Sequence, residues 1–381
     1  MKYASLLTLV LILLSIGACA PQADSAPLPS ETAAPLATAT PMPPTETYRP
    51  LNRIVIPAPS LANNLLDEPL EQVIYVYLPP SYNTSSKRYP VVYYLPGYGD
   101  RSMIGFVLPV DMDALIAAGA VNEMILVVHH GVNVLGGSFY VNSPVTGNWE
   151  DYIVRDVVGY VDSHFRTLAQ AESRGITGHS MGGYGALNLA MLHPEVFGAV
   201  YSFSPGLFDE NGLAESQMFS SETQVQIFAE FHGGLAGVPL EEAKRKMMRS
   251  PQQFSLSYGA AFSPDAAGDP PYFTYPYLLV DGQLVRDDAI WAQWESGFGG
   301  IAQEAVQYRD NWLKLKGIVV DYGVNDEFGW IPKGCAYFGQ QMTAAGIPVK
   351  VEVYDGTHQS KLGERVRQFM LPFFSTTLTF E

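Results

Sequence analysis

The stretch Arg174-Gly175-Ile176-Thr177-Gly178-His179-Ser180-Met181-Gly182-Gly183-Tyr184-Gly185-Ala186 decides the reading of this chain. It predicts a short buried strand, a sharp turn at Ser180 and the first turn of a helix. The helix continues through the apolar positions Ala186, Leu187, Leu189, Ala190 and Met191 and stops at His193-Pro194. Gly-X-Ser-X-Gly between a strand and a helix is the pattern of a nucleophile elbow. The tight turn strains the serine backbone. A side chain at Gly178 or Gly182 would collide across that turn. The turn also lifts the hydroxyl above the sheet edge and places the positive end of a helix dipole beside it.

Outward from this elbow, strands and helices alternate. Arg53–Ile56 and Glu71–Leu78 read as early strands, the second alternating through Val73, Tyr75 and Tyr77 until Pro79-Pro80 ends it. Val91–Leu95 and Met124–Val128 are continuous apolar runs, as expected of strands covered on both faces. Helices are expected over Asp111–Ala118 and Trp149–Phe165, and a strand over Val200–Phe203. The pattern loosens over 208–276, which reads as an insertion: a lid over the catalytic face or a peripheral surface element. Alternation resumes with strands at Tyr277–Leu279, Gly317–Asp321 and Val349–Val353. Helices fall near Ile301–Leu315, Cys335–Ala345 and Leu362–Phe373. The expected fold class is α/β: a mostly parallel sheet with helices on both faces.

A serine hydroxyl is a weak nucleophile at neutral pH and needs a base and an orienting carboxylate. In strand–turn–helix sites of this kind the acid and then the histidine follow the serine along the chain. Of seven histidines, only His358 lies downstream of both the elbow and a later strand–loop acid. It ends the loop Tyr354-Asp355-Gly356-Thr357-His358. His179 is set aside as a base because strand alternation points it away from the serine. Asp321, Asp326 and Glu327 compete for the acid. Asp326, on a loop at the presumed C-terminal sheet edge, is the first choice and Asp321 the second. Asp355 reads as a turn residue. Two N–H donors are needed for an oxyanion. Met181 supplies one, and the loop Pro96-Gly97-Tyr98-Gly99-Asp100 supplies the other through Tyr98.

With these pieces placed, the chain resembles the α/β-hydrolase branch that includes feruloyl and acetyl-xylan esterases, esterase D-type enzymes and mycolyltransferases. The resemblance rests on Val76–Tyr82 before Arg88–Tyr93, on Gly178–Leu187, on Gly323-Val324-Asn325-Asp326 and on Gly356-Thr357-His358. It covers roughly Glu71 to Phe374, with 208–276 the poorly matching part. It implies the α/β-hydrolase fold, a Ser180–His358–Asp326 triad and an oxyanion hole at Tyr98 and Met181. It favours Asp326 over Asp321, because the acid of the family follows a Gly-X-X step. One departure stands out: members often carry His-Gly or Asp-Gly where this chain has Pro96-Gly97. Proline removes the N–H at that position and leaves the Tyr98 donor.

The expected activity is a serine esterase on small-molecule or polymer-linked esters, with carbohydrate-linked acetyl or feruloyl esters foremost. The chemistry requires no metal or organic cofactor. An acyltransferase on the same residues and a non-catalytic surface binding protein are the alternatives. Tyr140, Trp149, Trp291, Trp294 and Trp330 are candidate aromatic platforms.

The rest of the chain bounds its setting. Its 381 residues, 47% of them hydrophobic, suffice for a large core, and a formal charge of −16 argues against a nucleic-acid partner. Residues 1–18 carry Lys2 and an apolar run too short for a comfortable membrane span, as in a signal peptide. Ile16-Gly17-Ala18-Cys19 resembles a bacterial lipoprotein processing box, which implies lipidation of Cys19 and an exported, membrane-tethered protein. Residues 19–47 follow as a linker, where 21 of the 28 residues from Ala20 to Thr47 are Ala, Pro, Ser or Thr. Such a segment buries no core and is expected to be disordered. The catalytic domain is then 48–381.

Overall fold

The computed structural model describes residues 52–100, 108–129 and 131–381, apart from the side chains of 108–111. The expected leader, Cys19 and the linker lie outside the described residues. The central sheet has eight strands: β1 (Asn52–Pro57), β2 (Glu71–Tyr77), β3 (Val91–Leu95), β4 (Ile125–His129), β5 (Arg174–His179), β6 (Ala199–Phe203), β7 (Gly317–Gly323) and β8 (Lys350–Tyr354). Their spatial order is β1-β2-β4-β3-β5-β6-β7-β8. The pairs β1–β2 and β2–β4 are antiparallel, and every later neighbour is parallel. The mostly parallel sheet anticipated from the apolar runs is therefore present.

Strand alternation divides the core. Val91, Tyr93, Leu95, Ile125, Val127, Ile176 and Val200 face one buried cluster. Val92, Tyr94, Leu126, Val128, Tyr201, Phe203 and Val319 face the other. Helices cover both faces, so β3, β4, β5 and β6 are buried along their whole length. Helix α1 (Leu108–Ala117) contributes Met112 to the second cluster. On the first face, α2 (Val158–His164) follows a π-helical segment (Tyr152–Val157), and α3 (Met181–Leu192) leaves the elbow.

Between β6 and β7 the chain makes its long excursion. It includes α4 (Glu222–Gly233), α5 (Leu240–Arg249), α6 (Gln253–Phe262) and α7 (Asp288–Gln303). Helix α7 starts where Asp287 accepts the N–H groups of Ala289 and Ile290 at 2.9 and 3.1 Å, a good N-cap. The strand expected at Tyr277–Leu279 exists but does not join the sheet. Among the described residues Tyr277–Val280 pairs only with Gln283–Arg286, in a separate hairpin. The turn Asp281-Gly282, with φ of 51° and 76°, closes the pair locally. Helix α8 (Trp330–Ala344) packs beside β7, and α9 (Leu371–Thr377) places Phe374 under the second face. The parallel strands end on one side, which gathers the loops after β3, β5, β6, β7 and β8.

Candidate active site

Ser180 occupies the turn between β5 and α3 with φ 59° and ψ −118°. A non-glycine residue there costs on the order of 1–3 kcal/mol, so the surroundings must hold it. They do so from both sides. The Ser180 N–H donates to the Phe203 carbonyl at 2.9 Å, and the Ser180 carbonyl accepts from Gly206 at 3.1 Å. A Cβ on Gly178 would strike the Gly182 carbonyl, and one on Gly182 would strike the Leu95 carbonyl. The steric argument for both glycines therefore has a specific opponent.

His358 lies on the loop after β8. Its Nδ1 is 2.6 Å from Oδ2 of Asp326, whose side chain is fully buried. The other Asp326 oxygen accepts the Phe328 N–H at 2.8 Å. With Nδ1–H donated to the carboxylate, Nε2 is the ring nitrogen left for a proton transfer. The two loops are joined through their backbones. Val324 N–H donates to Tyr354 O at 3.0 Å and Asn325 N–H to Gly356 O at 2.9 Å. Asn325 also reaches the Asp355 carboxylate at 2.7 Å, so Asp355 is the turn residue expected of it. Glu327 accepts the His358 backbone N–H at 3.0 Å. That bond holds the Glu327 carboxyl below its ordinary range. Nothing in the sequence pattern announced this contact.

Asp321 belongs to a different network. It is buried beneath the sheet edge, where Arg365 Nε reaches its two oxygens at 3.1 and 2.9 Å and Tyr201 donates its hydroxyl. Burial raises its pKa. Both oxygens are thus engaged away from His358.

His179 departs from the expectation. It does not point away from the site but lines the same cavity as Ser180 and His358. Its Nε2–H donates to the backbone carbonyl of His358 at 2.8 Å, and the two rings lie 4.6 Å apart. Simple alternation fails here because the strand ends at the elbow and its backbone turns. Burial, with His358 adding to it, lowers the His179 pKa to about 3, so the ring is neutral.

The loop after β3 is held at three points. The Pro96 carbonyl accepts the Tyr140 hydroxyl at 2.7 Å, Tyr98 donates its hydroxyl to Leu135 O at 2.6 Å, and Gly99 N–H donates to Gly136 O at 2.8 Å. A Cβ on Gly97 would sit 3.3 Å from the Ser180 Cβ, so the loop passes close to Ser180. Among the described residues, neither the Tyr98 nor the Met181 backbone N–H has a partner within the chain.

Ser180, Met181, Tyr98 and His358 share a cavity of about 220 Å³. Its walls are largely aromatic: Phe254 from α6, Phe298 from α7, Phe328 after β7 and Trp330 of α8. Of the five aromatic candidates, Trp330 alone lines it. Tyr140, Trp149 and Trp294 are wholly buried, and Trp291 packs edge-on against Phe219 and Tyr277. Gln217, whose Oε1 accepts Trp330 Nε1–H at 3.2 Å, adds a polar group to the wall. Phe254, Phe298 and Gln217 come from the excursion and Phe328 from the acid loop. They escaped the sequence reading because nothing local separates a cavity aromatic from a core aromatic.

Comparison with known proteins agrees with this architecture. A ferulic acid esterase structure superposes with a TM-score of 0.56 at 20% identity, covering 85% of this chain and 97% of that one. An S-formylglutathione hydrolase from Agrobacterium tumefaciens gives 0.51 at 17% identity, covering 86% and 95%. The fold is that of the α/β hydrolases. In sequence, an esterase of Mycobacterium tuberculosis (Esterase Rv1288) is 31% identical over 137 residues, 34% of this chain and 28% of that protein. An endo-1,4-beta-xylanase/feruloyl esterase of Xylanibacter ruminicola is 29% identical over 138 residues, 33% of this chain and 18% of that protein. The matched stretch thus spans less than a third of either relative. The family model described as "Putative esterase" matches residues 70–362, most of the 381-residue chain and every strand of the sheet but the first, and the chain belongs to that family.

Proposed function

We propose that this chain is a serine esterase that cleaves carboxylic esters through an acyl-enzyme. One observation carries the reading: a buried 2.6 Å His358–Asp326 bond opens onto the same cavity as a serine held at φ 59°. Nε2 of His358 takes the Ser180 proton as Oγ attacks the ester carbonyl. Asp326 keeps the imidazole in the tautomer that leaves Nε2 free and stabilises the imidazolium that forms. The Tyr98 and Met181 N–H groups bind the tetrahedral oxyanion, where one such donor typically contributes on the order of a hundred-fold or more in rate. His358 then protonates the leaving alcohol. Water, activated by the same nitrogen, releases the acyl group and restores Ser180.

The aromatic walls favour a flat, apolar acyl group, and an aromatic acid ester of a carbohydrate is the substrate class proposed. Phe254, Phe298 and Trp330 supply the faces against which such a ring packs. The feruloyl esterase among the relatives supports the same class.

The test combines labelling with turnover. A fluorophosphonate probe should label the wild-type chain and leave Ser180→Ala unlabelled. Feruloyl esters of arabinose should be hydrolysed with a higher kcat/KM than the corresponding acetyl esters. Equal labelling of both proteins would sink the nucleophile. A preference for acetyl would sink the substrate class.

A further inference from the structure

Basic residues are scarce in this chain, 22 Lys and Arg against 38 Asp and Glu. Four of the 22 stand within six positions of α5: Lys244, Arg245, Lys246 and Arg249. Lys244 is spent on structure, bonded to Asp67 and Glu241 at 2.5 and 3.2 Å. The other three line a second groove, of about 570 Å³, between α4 and α5. Glu242, the one acid lining it, is bonded to Lys246 at 2.9 Å. Among the described residues Arg245 and Arg249 make no close ion pair, although the Arg245 charge also acts on Glu242. Ile227 and Phe231 of α4 form the apolar wall.

We propose that this groove is a binding site for the carboxylate groups of an acidic glycan, the polymer that carries the ester. The inference rests on the esterase reading for the link to the ester, while the binding site stands on its own residues. Three features favour a glycan. Arg245 and Arg249 lie one helical turn apart, about 6 Å along the axis, on one side of α5. They present two planar forks suited to successive carboxylates on an extended chain. Half-exposed Ile227 and partly buried Phe231 form one wall of a concavity, a surface on which the face of a sugar ring packs. The groove and the catalytic cavity are also neighbours along the chain: Pro251 and Gln252 line the groove, and Phe254, two residues on, lines the cavity. At most about 7 Å of backbone separates Gln252 from Phe254. Gln252 is pinned to α4 by its side-chain N–H on Gln224 O at 3.2 Å. On this proposal a glycan with its ester at Ser180 lays its acidic units against α5.

The experiment uses the full chain carrying Ser180→Ala, so that binding is read without hydrolysis. Polygalacturonate should bind it, and binding should weaken with salt. Adding Arg245→Glu and Arg249→Glu should reduce the affinity at least ten-fold; Arg245→Gln with Arg249→Gln should reduce it less. Neutral arabinoxylan should bind all three proteins alike. Equal polygalacturonate affinity across the three proteins, or equal loss on neutral arabinoxylan, would overturn the site. So would a charge-reversed protein that loses binding to phosphatidylglycerol vesicles relative to Ser180→Ala alone, since the groove would then face a lipid surface. Should the parent enzyme cleave no ester while polygalacturonate binding depends on the two arginines, the esterase reading falls and the groove remains.

Discussion

At the scale of single residues, two aspartates five positions apart do different work. Asp326 serves His358, and Asp321 serves Arg365 and Tyr201. Replacing Asp326 by Asn should leave the fold in place and lower kcat by up to about 10⁴, the scale seen when a triad carboxylate loses its charge. Replacing Asp321 by Asn removes the charge facing Arg365 Nε and leaves the guanidinium with Glu352 at 3.4 Å as its remaining carboxylate. Breaking such a buried pair costs on the order of 3–5 kcal/mol. This variant should unfold at lower temperature while the folded fraction keeps most of its kcat. Steady-state kinetics beside thermal unfolding separates the two, and the reverse pattern would exchange the roles. His179 poses a finer question. Its bond to the His358 carbonyl makes it a positioning residue for the base. His179→Leu should cut kcat about ten-fold with KM little changed. His179→Gln, whose amide N–H can reach the same carbonyl, should recover most of it. No recovery by Gln would assign the loss to packing.

At the scale of elements, the loop after β3, the proposed donor platform, keeps its place because its neighbours hold it. The segment 131–140 receives the Tyr98 hydroxyl and the Gly99 N–H, and is itself anchored where Val134 N–H donates to Glu68 at 2.6 Å. Glu68 is buried, and desolvation raises its pKa to about 7, partly opposed by the Val134 bond. The folded state therefore holds a proton on Glu68 that the unfolded chain releases near its ordinary value of 4.5. The stability this proton brings is complete below pH 4.5 and declines as pH rises to about 7. Above that it is gone, a difference on the order of 3 kcal/mol. Glu68→Gln keeps an acceptor for Val134 without the charge. It should match the wild type near pH 4.5 and melt at a higher temperature at pH 8. Parallel melting curves at both values would show that Glu68 does not titrate in this range. Several local departures from the expected elements occur; the helix expected near Ile301–Leu315 runs instead over Asp288–Gln303, with a short helical turn at Arg309–Trp312. Tyr277–Leu279 has strand residues, yet the tight Asp281-Gly282 turn gives it a local partner. His179 obeys the strand period until the chain turns.

For the whole molecule, much of the frame was legible because it depends on local patterns. Solid apolar runs at Val91–Leu95 and Met124–Val128 require two covered faces. The glycines at 178 and 182 require a sharp turn. The order serine, acid, histidine points to loops that the topology must bring together. The cavity walls were not legible. Phe254 and Phe298 lie 74 and 118 positions after Ser180 and reach it through helices whose placement depends on packing across 204–316. Tyr258 and Trp294, in the same helices, carry the same kind of ring into the core. Glu327 was missed for a related reason, since a contact with a backbone N–H leaves no trace in residue spacing.

The backbone junction between the loops after β7 and β8 has a consequence for how such a protein can change. The proposed acid and base are fixed to each other within 317–358, and the proposed nucleophile is fixed by β5, β6 and the loop after β3. Much of the cavity wall proposed to receive the acyl group, and all of the basic groove, belong to the excursion between β6 and β7. Chemistry and choice of substrate therefore occupy separable stretches of one gene. Exchange of residues 208–303 for the matching segment of another member could redirect the enzyme to a new ester in one recombination event, with its proton-transfer apparatus inherited whole.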